Sequence, residues 1–371
     1  MKIIPHSRPT LGSEEIKATS RVIKKGLISQ GQVVEGFEKG VAEYIGVRGG
    51  VAVSSGTAGL HLSLLALGIG PGDRVIIPSY CCIALLNAVR YTGAEPILSD
   101  IELDTYNIDP GWVEDYLAGL KSQVSTLKSI KAVIVAHLFG QPADMGAFMD
   151  ISRRYGIPII EDCAQAIGAT YRDTPVGSFG LLSFLSFYAT KVMTTGEGGM
   201  VLSNSSRLLN VVRDLREYDE KRDGRLRFNY KMTDLQAAIG LSQLKGLPGF
   251  IRRRQRIARQ YMKGLKGLPV LLPSRLAGRR SIYYRFVIRV NKARGFMERM
   301  EGEGIVCRRP VYRPLHYYTG DGHLHRPSGM VRGLENTERA WREAVSIPIY
   351  PLLNDGDAER VLRSIKRTLQ P

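Results

Sequence analysis

The chain has 371 residues, with 52 Lys+Arg against 35 Asp+Glu for a formal net charge of +17, and is 44% apolar. At roughly 100–200 residues per domain this length holds two or three domains with well-buried cores, and the composition excludes extended disorder. No stretch approaches the ~20 apolar residues of a membrane span, and the start Met1-Lys2-Ile3-Ile4-Pro5 lacks a signal-peptide core, so no membrane partner and a cytoplasmic location are expected. The excess charge raises nucleic acid, an anionic surface or an acidic metabolite as partners. Cys81, Cys82, Cys163 and Cys307 form no CxxC pair, so neither a metal site nor a disulfide framework is expected.

In chain order, residues 51–54 read as a strand and 57–67 as a helix with Leu60, Leu64 and Leu67 on one face. A strand at 74–78 precedes a helix through 84–89. Strands at 96–98, 131–136 and 157–160 follow, with helical or turn segments between them, and 184–188 and 199–203 read as two more. Continuous apolar strands between helices specify a mainly parallel sheet covered on both faces. After residue 232 the texture changes. Helices are predicted over 233–247, 250–265, 294–302, 337–344 and 357–369, with strands at 282–288 and 347–349. The run Arg252-Arg253-Arg254-Gln255-Arg256 falls largely opposite the stripe Ile251, Ile257, Ala258, Tyr261 and Leu265, and reads as a solvated face rather than a nucleic-acid patch. The expected fold is α/β. Residues 1–245 form a large domain with a mixed, mainly parallel sheet, whose N-terminal segment can rest on the small domain, and 246–371 form a smaller α+β domain.

Three clusters fall at the carboxyl ends of predicted strands, where open α/β sheets bind ligands. The turn Ser54-Ser55-Gly56-Thr57-Ala58 offers free amides, hydroxyls and a helix N-terminus to a phosphate, although Ser-Gly-Thr is also an ordinary helix cap. Glu161-Asp162-Cys163-Ala164-Gln165 places a carboxylate either at the mouth of the sheet or on the following turn. Lys191 follows Phe184-Leu185-Ser186-Phe187-Tyr188-Ala189-Thr190 and precedes Gly196-Glu197-Gly198-Gly199. A lysine in such a turn is partly desolvated and can act as a Schiff-base nucleophile. Cradle, carboxylate and lysine together are what pyridoxal phosphate needs: an imine partner, a group that keeps the pyridine nitrogen protonated, and a phosphate site.

These segments, with Ser29-Gln30-Gly31 to Glu38, Phe228-Asn229-Tyr230 to Ala238, and Arg313-Pro314-Leu315-His316, resemble the DegT/DnrJ/StrS family of nucleotide-sugar aminotransferases over nearly the whole chain. The resemblance implies a fold-type-I pyridoxal phosphate enzyme of the aspartate aminotransferase superfamily. It implies Lys191 as the lysine that binds the cofactor and shuttles the proton, Asp162 on the pyridinium nitrogen, and Gln165 beside the ring. Gly56, Thr57 and Ser186 would hold the phosphate, joined by Asn229 from a second subunit in a homodimer with shared sites. The implied substrates are an amino-acid donor, glutamate, and a nucleotide-linked keto-deoxysugar, for amino sugars of polysaccharides or related glycans.

Two readings stay open beside this one. Relatives that remove a sugar hydroxyl carry histidine at the Lys191 position, so the lysine favours transamination over dehydration. A DNA-binding regulator is disfavoured because no helix-turn-helix with a basic reading helix stands out. Cys82 occupies the position where the family places an aromatic residue over the ring, and either packs on the ring face or in the core. Tyr188 faces the site or the core, and His137 reads as a structural histidine. His316 and Arg313 are candidate substrate contacts, with Arg308 and Arg309 as further candidates for a diphosphate. The stretch 317–324 departs from the family pattern and is where sugar choice would be read.

Overall fold

The computed structural model describes residues 2–319 and 333–369. Two helices stand before the first predicted strand, α1 (Ser13–Lys25) and α2 (Gln32–Ile45). Both end on a left-handed glycine, Gly26 at φ 73° and Gly46 at φ 81°, the conformation that closes a helix without a Cβ clash. The large sheet and its helices follow as β1 (Gly49–Val53), α3 (Gly56–Ala66), β2 (Arg74–Pro78), α4 (Ile83–Tyr91), β3 (Glu95–Ser99), α5 (Pro110–Gly119), α6 (Val124–Ser129), β4 (Ile130–Ala136), α7 (Met145–Tyr155), β5 (Ile159–Asp162), β6 (Thr170–Tyr171), β7 (Thr174–Pro175), β8 (Leu182–Ser186), β9 (Gly199–Ser203) and α8 (Ser206–Arg216). The chain continues as α9 (Asp234–Gly264), β10 (Arg279–Arg280), β11 (Phe286–Arg289), α10 (Ala293–Gly302), α11 (Glu335–Glu343), β12 (Ala344–Ile347) and α12 (Asp355–Leu369).

Seven strands form one sheet in the order β1-β9-β8-β5-β4-β2-β3, and the pairings leave β9 alone running against the others. Its strands are buried on both faces, with α2, α5, α7 and α9 covering one side and α3 and α4 the other. That double cover is why they read as unbroken apolar runs. A third core joins Ile257, Phe286, Phe296, Val345, Val361 and Ile365 of the C-terminal part. The N-terminal segment belongs to it: Ile4 is buried there, its amide donating to Gly304 O at 2.9 Å. No helix among the described residues is long and apolar enough to cross a membrane.

Three expectations change in the structure. The predicted helices 233–247 and 250–265 are one helix, α9, with Pro248 inside it. The proline removes an internal bond, at a cost of about 3 kcal/mol. Burial of Leu247, Ile251, Ile257, Ala258 and Tyr261 along the same rod offsets that loss, and the helix passes residue 245 unbroken. The predicted strand 282–288 pairs only from Phe286 onward, because Tyr283 takes φ 50° and Ile282 N and Arg285 N bond instead to the Gly140 and Phe139 carbonyls. The basic run is not wholly wet: Arg254 is 3% exposed. Its Nη1 donates to the Ile349 carbonyl at 2.8 Å and the Tyr284 carbonyl at 3.1 Å, so it bridges α9 to the two segments flanking the third core. Burial lowers its pKa to about 10. Arg254→Ala, by leaving those carbonyls buried and unbonded, is expected to destabilise the protein by about 3 kcal/mol; urea unfolding followed by circular dichroism measures it, and an unchanged midpoint would contradict the bridge.

Candidate active site

Four strands deliver the site from their carboxyl ends. At the end of β1 the chain turns into α3 at Ser55, whose Oγ accepts the Ala58 amide at 3.0 Å. The hydroxyl does cap the helix, as the plain reading allowed, but the Gly56 and Thr57 amides, in its first turn, have no intrahelical acceptor. Both residues line a cavity of about 240 Å³ together with Ser186, Asp162, Gln165, Lys191, Tyr188, Cys81 and Cys82. The predicted cradle, carboxylate and lysine therefore meet in one place.

Gly199, the first residue of β9, pairs with Val53 of β1 and Ser186 of β8. A Cβ on Gly199 would stand 2.7 Å from the Gly56 amide nitrogen, and one on Gly56 would stand 2.8 Å from Ser186 Cβ. Bare backbone is thus required where α3 begins. The loop between β8 and β9 hangs over this edge, held by Phe187 N to Gly198 O at 2.8 Å and Thr195 N to Phe187 O at 2.9 Å, and Lys191 sits within it. Tyr188 is 48% exposed and lines the cavity, which decides its orientation in favour of the site.

The acidic pair splits by strand alternation. Glu161 points away: its oxygens accept the Gly177, Phe179 and Gly180 amides at 2.7, 2.8 and 2.7 Å, and His137 Nε2 lies 3.0 Å away. His137 Nδ1 accepts the Ala143 amide at 3.1 Å, so Nε2 carries the proton and donates to Glu161. Cys163 lies beside this pair, but the hydrogen bonds leave the imidazole and carboxylate occupied, as in a structural latch. Asp162 points to the cavity, with Oδ1 accepting the Ala164 amide at 2.9 Å. Burial raises its pKa, and that amide, Lys191 and His137 pull it back. Gln165 Oε1 accepts the Phe139 amide at 2.8 Å, which fixes the side chain at the cavity wall.

Cys82 is exposed at the start of α4 and lines the cavity, whereas Tyr80 is fully buried and stacks on Tyr106 at 6.0 Å. Tyr80 does not reach the site. Asn229 is exposed and is not among the lining residues. His316 and Arg313 are not brought to this cavity either. His316 Nδ1 lies 2.8 Å from Ser79 Oγ and its Nε2 2.8 Å from Glu338 Oε1. Arg313 stands 4.9 and 5.4 Å from the ring centroids of Tyr317 and Tyr318, and Arg309 stacks 5.0 Å from Trp341. Residues 320–324 of the stretch expected to read the sugar lie outside the described residues. The sequence reading missed Glu197, which also lines the cavity, and Tyr284 beneath Lys191. The adjacent aromatic and basic residues in Tyr283-Tyr284-Arg285 were the available signal.

This arrangement brings a lysine, a carboxylate and a bare-backbone helix start together on an α/β scaffold, the donor set that pyridoxal phosphate needs. Comparison with known proteins gives the same class: the DegT/DnrJ/EryC1/StrS aminotransferase family matches residues 9–366, and the chain belongs to that family of pyridoxal phosphate-dependent aminotransferases. It is 34% identical over 353 residues to a GDP-perosamine synthase of Caulobacter vibrioides, covering 92% of this chain and 91% of that one. Among solved structures, the aminotransferase TlmJ of Streptoalloteichus hindustanus superposes with a TM-score of 0.90 at 31% identity, covering 99% of each chain. DesV of S. venezuelae, solved in complex with a ketimine intermediate, gives 0.88 at 32% identity, covering 96% of this chain and 95% of that one. Gly199→Ala is expected to cost about 1–3 kcal/mol and to lower the retained cofactor, measured by absorbance of the purified protein; full retention with unchanged stability would contradict the close approach.

Proposed function

We propose that the chain transfers an amino group from glutamate to the ketone of a nucleotide-linked keto-deoxysugar, with Lys191 as the catalytic residue. The observation that carries this reading is the convergence of Lys191, Asp162 and the Gly56–Ser186 cradle in one cavity. At about 240 Å³ it is smaller than the ~300–1,000 Å³ of drug-sized ligand pockets. Such a space suits a single ring with its phosphate, the sugar being met outside it. The relative named GDP-perosamine synthase makes a GDP-linked sugar the first to test.

When bound, pyridoxal phosphate supplies the aldehyde that becomes an amine and the ring that takes up the electrons of the broken C–H bond. Lys191 is the residue that would hold the cofactor through its aldehyde, and its amine, once free, would take and return a proton at Nζ. The Asp162 carboxylate would hold the proton on the ring nitrogen, its burial keeping water from competing for it. The Gly56 and Thr57 amides and the Ser186 hydroxyl would hold the phosphate, the helix start adding its partial positive charge. Gln165 and Cys82, which line the same cavity, would flank the ring, and Tyr188 would meet the substrate.

Asn229 lies away from its own cavity, which fits a role in the partner's site and a homodimer with shared active sites. The chain is divided between a large cofactor domain over 1–245 and a small domain over 246–371, with α9 as the common rod. His316 bonds to Ser79, three residues before Cys82, and to Glu338.

Glutamate is expected to bleach the aldehyde absorbance of the holoenzyme towards the amine form, and a nucleotide-linked keto-sugar to restore it. Lys191→Ala should abolish turnover. Absence of bleaching with any amino acid, or normal turnover in that variant, would defeat the assignment. Mixing inactive Lys191→Ala and Asn229→Asp chains should regain about a quarter of wild-type activity, from the one intact site in each hybrid dimer; no recovery after demonstrated subunit exchange would contradict shared sites.

A further inference from the structure

Tyr284 lies just outside the cavity lining, under its lysine. Lys191 Nζ stands 5.4 Å from the Tyr284 ring centroid, and the Arg285 guanidinium lies over the same ring at 4.7 Å. Arg285 Nη2 donates to Tyr284 Oη at 3.2 Å, and the Thr190 side chain, adjacent to the lysine, also bonds to that hydroxyl. From α9, buried Arg254 holds the Tyr284 carbonyl at 3.1 Å. Arg285 is fixed in turn by the N-terminal segment. Its Nη1 lies 2.9 Å from His6 Nδ1, and His6 Nε2 lies 2.8 Å from Ser346 Oγ. Burial, with Arg285 and Arg308 beside it, lowers the His6 pKa to about 3, so the imidazole is neutral and accepts from the arginine.

The groups around Tyr284 are therefore Lys191 and Thr190 of the β8–β9 loop, Arg285 next to it in the chain, and Arg254 of α9 at its carbonyl. Asp162 and Glu197 are the acidic groups that line the cavity with Lys191. We propose that Tyr284 is a positioning residue for Lys191: its ring and hydroxyl, fixed by Arg285 and Thr190, hold the lysine's amino group whenever that amine is free. This rests on the reading of Lys191 as the covalent lysine, since only an amine that is repeatedly released needs a resting partner. A cation held at a ring face gains electrostatically, more so when water is excluded.

The same contacts make the hydroxyl acidic. Burial alone would raise its pKa, but Lys191, Arg285, the Thr190 bond and Arg254 bring it down to about 8. Above that pH the ionised oxygen attracts the ammonium.

The test is a titration of the apoprotein carrying ζ-¹³C-labelled tyrosine, read by NMR. One resonance should titrate near pH 8 and be missing in Tyr284→Phe. In Lys191→Ala, and independently in Arg285→Gln, its midpoint should rise by about one unit, a tenfold change in the ionisation constant. In the holoenzyme, Tyr284→Phe should keep the bound cofactor but lose the limb near pH 8 in the kcat/KM profile. A midpoint indifferent to Lys191→Ala, or no tyrosine titrating below pH 10, would overturn the proposal. Failure of the underlying reading shows separately, as a Lys191→Ala enzyme that still turns over.

Discussion

The whole site depends on how closely the start of α3 approaches the ends of β8 and β9. Gly199 is paired on both sides, to Val53 and to Ser186, and a methyl group there would collide with the Ser55–Gly56 peptide. That bare contact sets the helix start against the sheet edge and brings its amides to Ser186. It requires β9 to run against its neighbours, since only a reversed strand starts where β8 ends. The short loop that joins them must then pass over the carboxyl edge of the sheet, and Lys191 is carried on it. One backbone constraint thus places both the start of α3 against Ser186 and Lys191 over the same edge.

Charge is arranged around this edge by burial rather than by surface pairing. Glu161 and Asp162 are neighbours in sequence, yet strand alternation sends one to three amides and His137 and the other to the cavity. Arg254, Arg285 and Lys191 converge from different elements on a single tyrosine. Glu161, Asp162 and Arg254 are buried and Lys191 and Arg285 half-buried, where interactions are screened less than at the surface, so these few groups shape the site more than the net charge of +17 does.

Much of this was legible in the sequence. The buried strands at Arg74–Pro78 and Ile130–Ala136 show as apolar runs because both faces are covered, and the residues after them carry the site because parallel strands end together. What escaped depends on contacts distant in sequence. Arg254 lies on the helix face of Ile251, Ile257 and Ala258, unlike Arg252 and Arg253, but its charge argued for solvent; the Tyr284 and Ile349 carbonyls that hold it inward are 30 and 95 positions away. His316, in a segment that resembles a substrate-binding one, is engaged by Ser79 and Glu338, which lie far from it or on another element. Tyr284 read as one more strand residue because its partner, Lys191, is more than ninety positions earlier.

The account stands on Lys191 being the amine that carries the cofactor. Reduction of the holoenzyme with borohydride, followed by peptide mass mapping, tests this most directly. The predicted result is a single reduced cofactor adduct, located on Lys191 and absent from Lys191→Ala. An adduct on a different lysine, or a holoenzyme whose bound cofactor is never trapped on the chain, would contradict it.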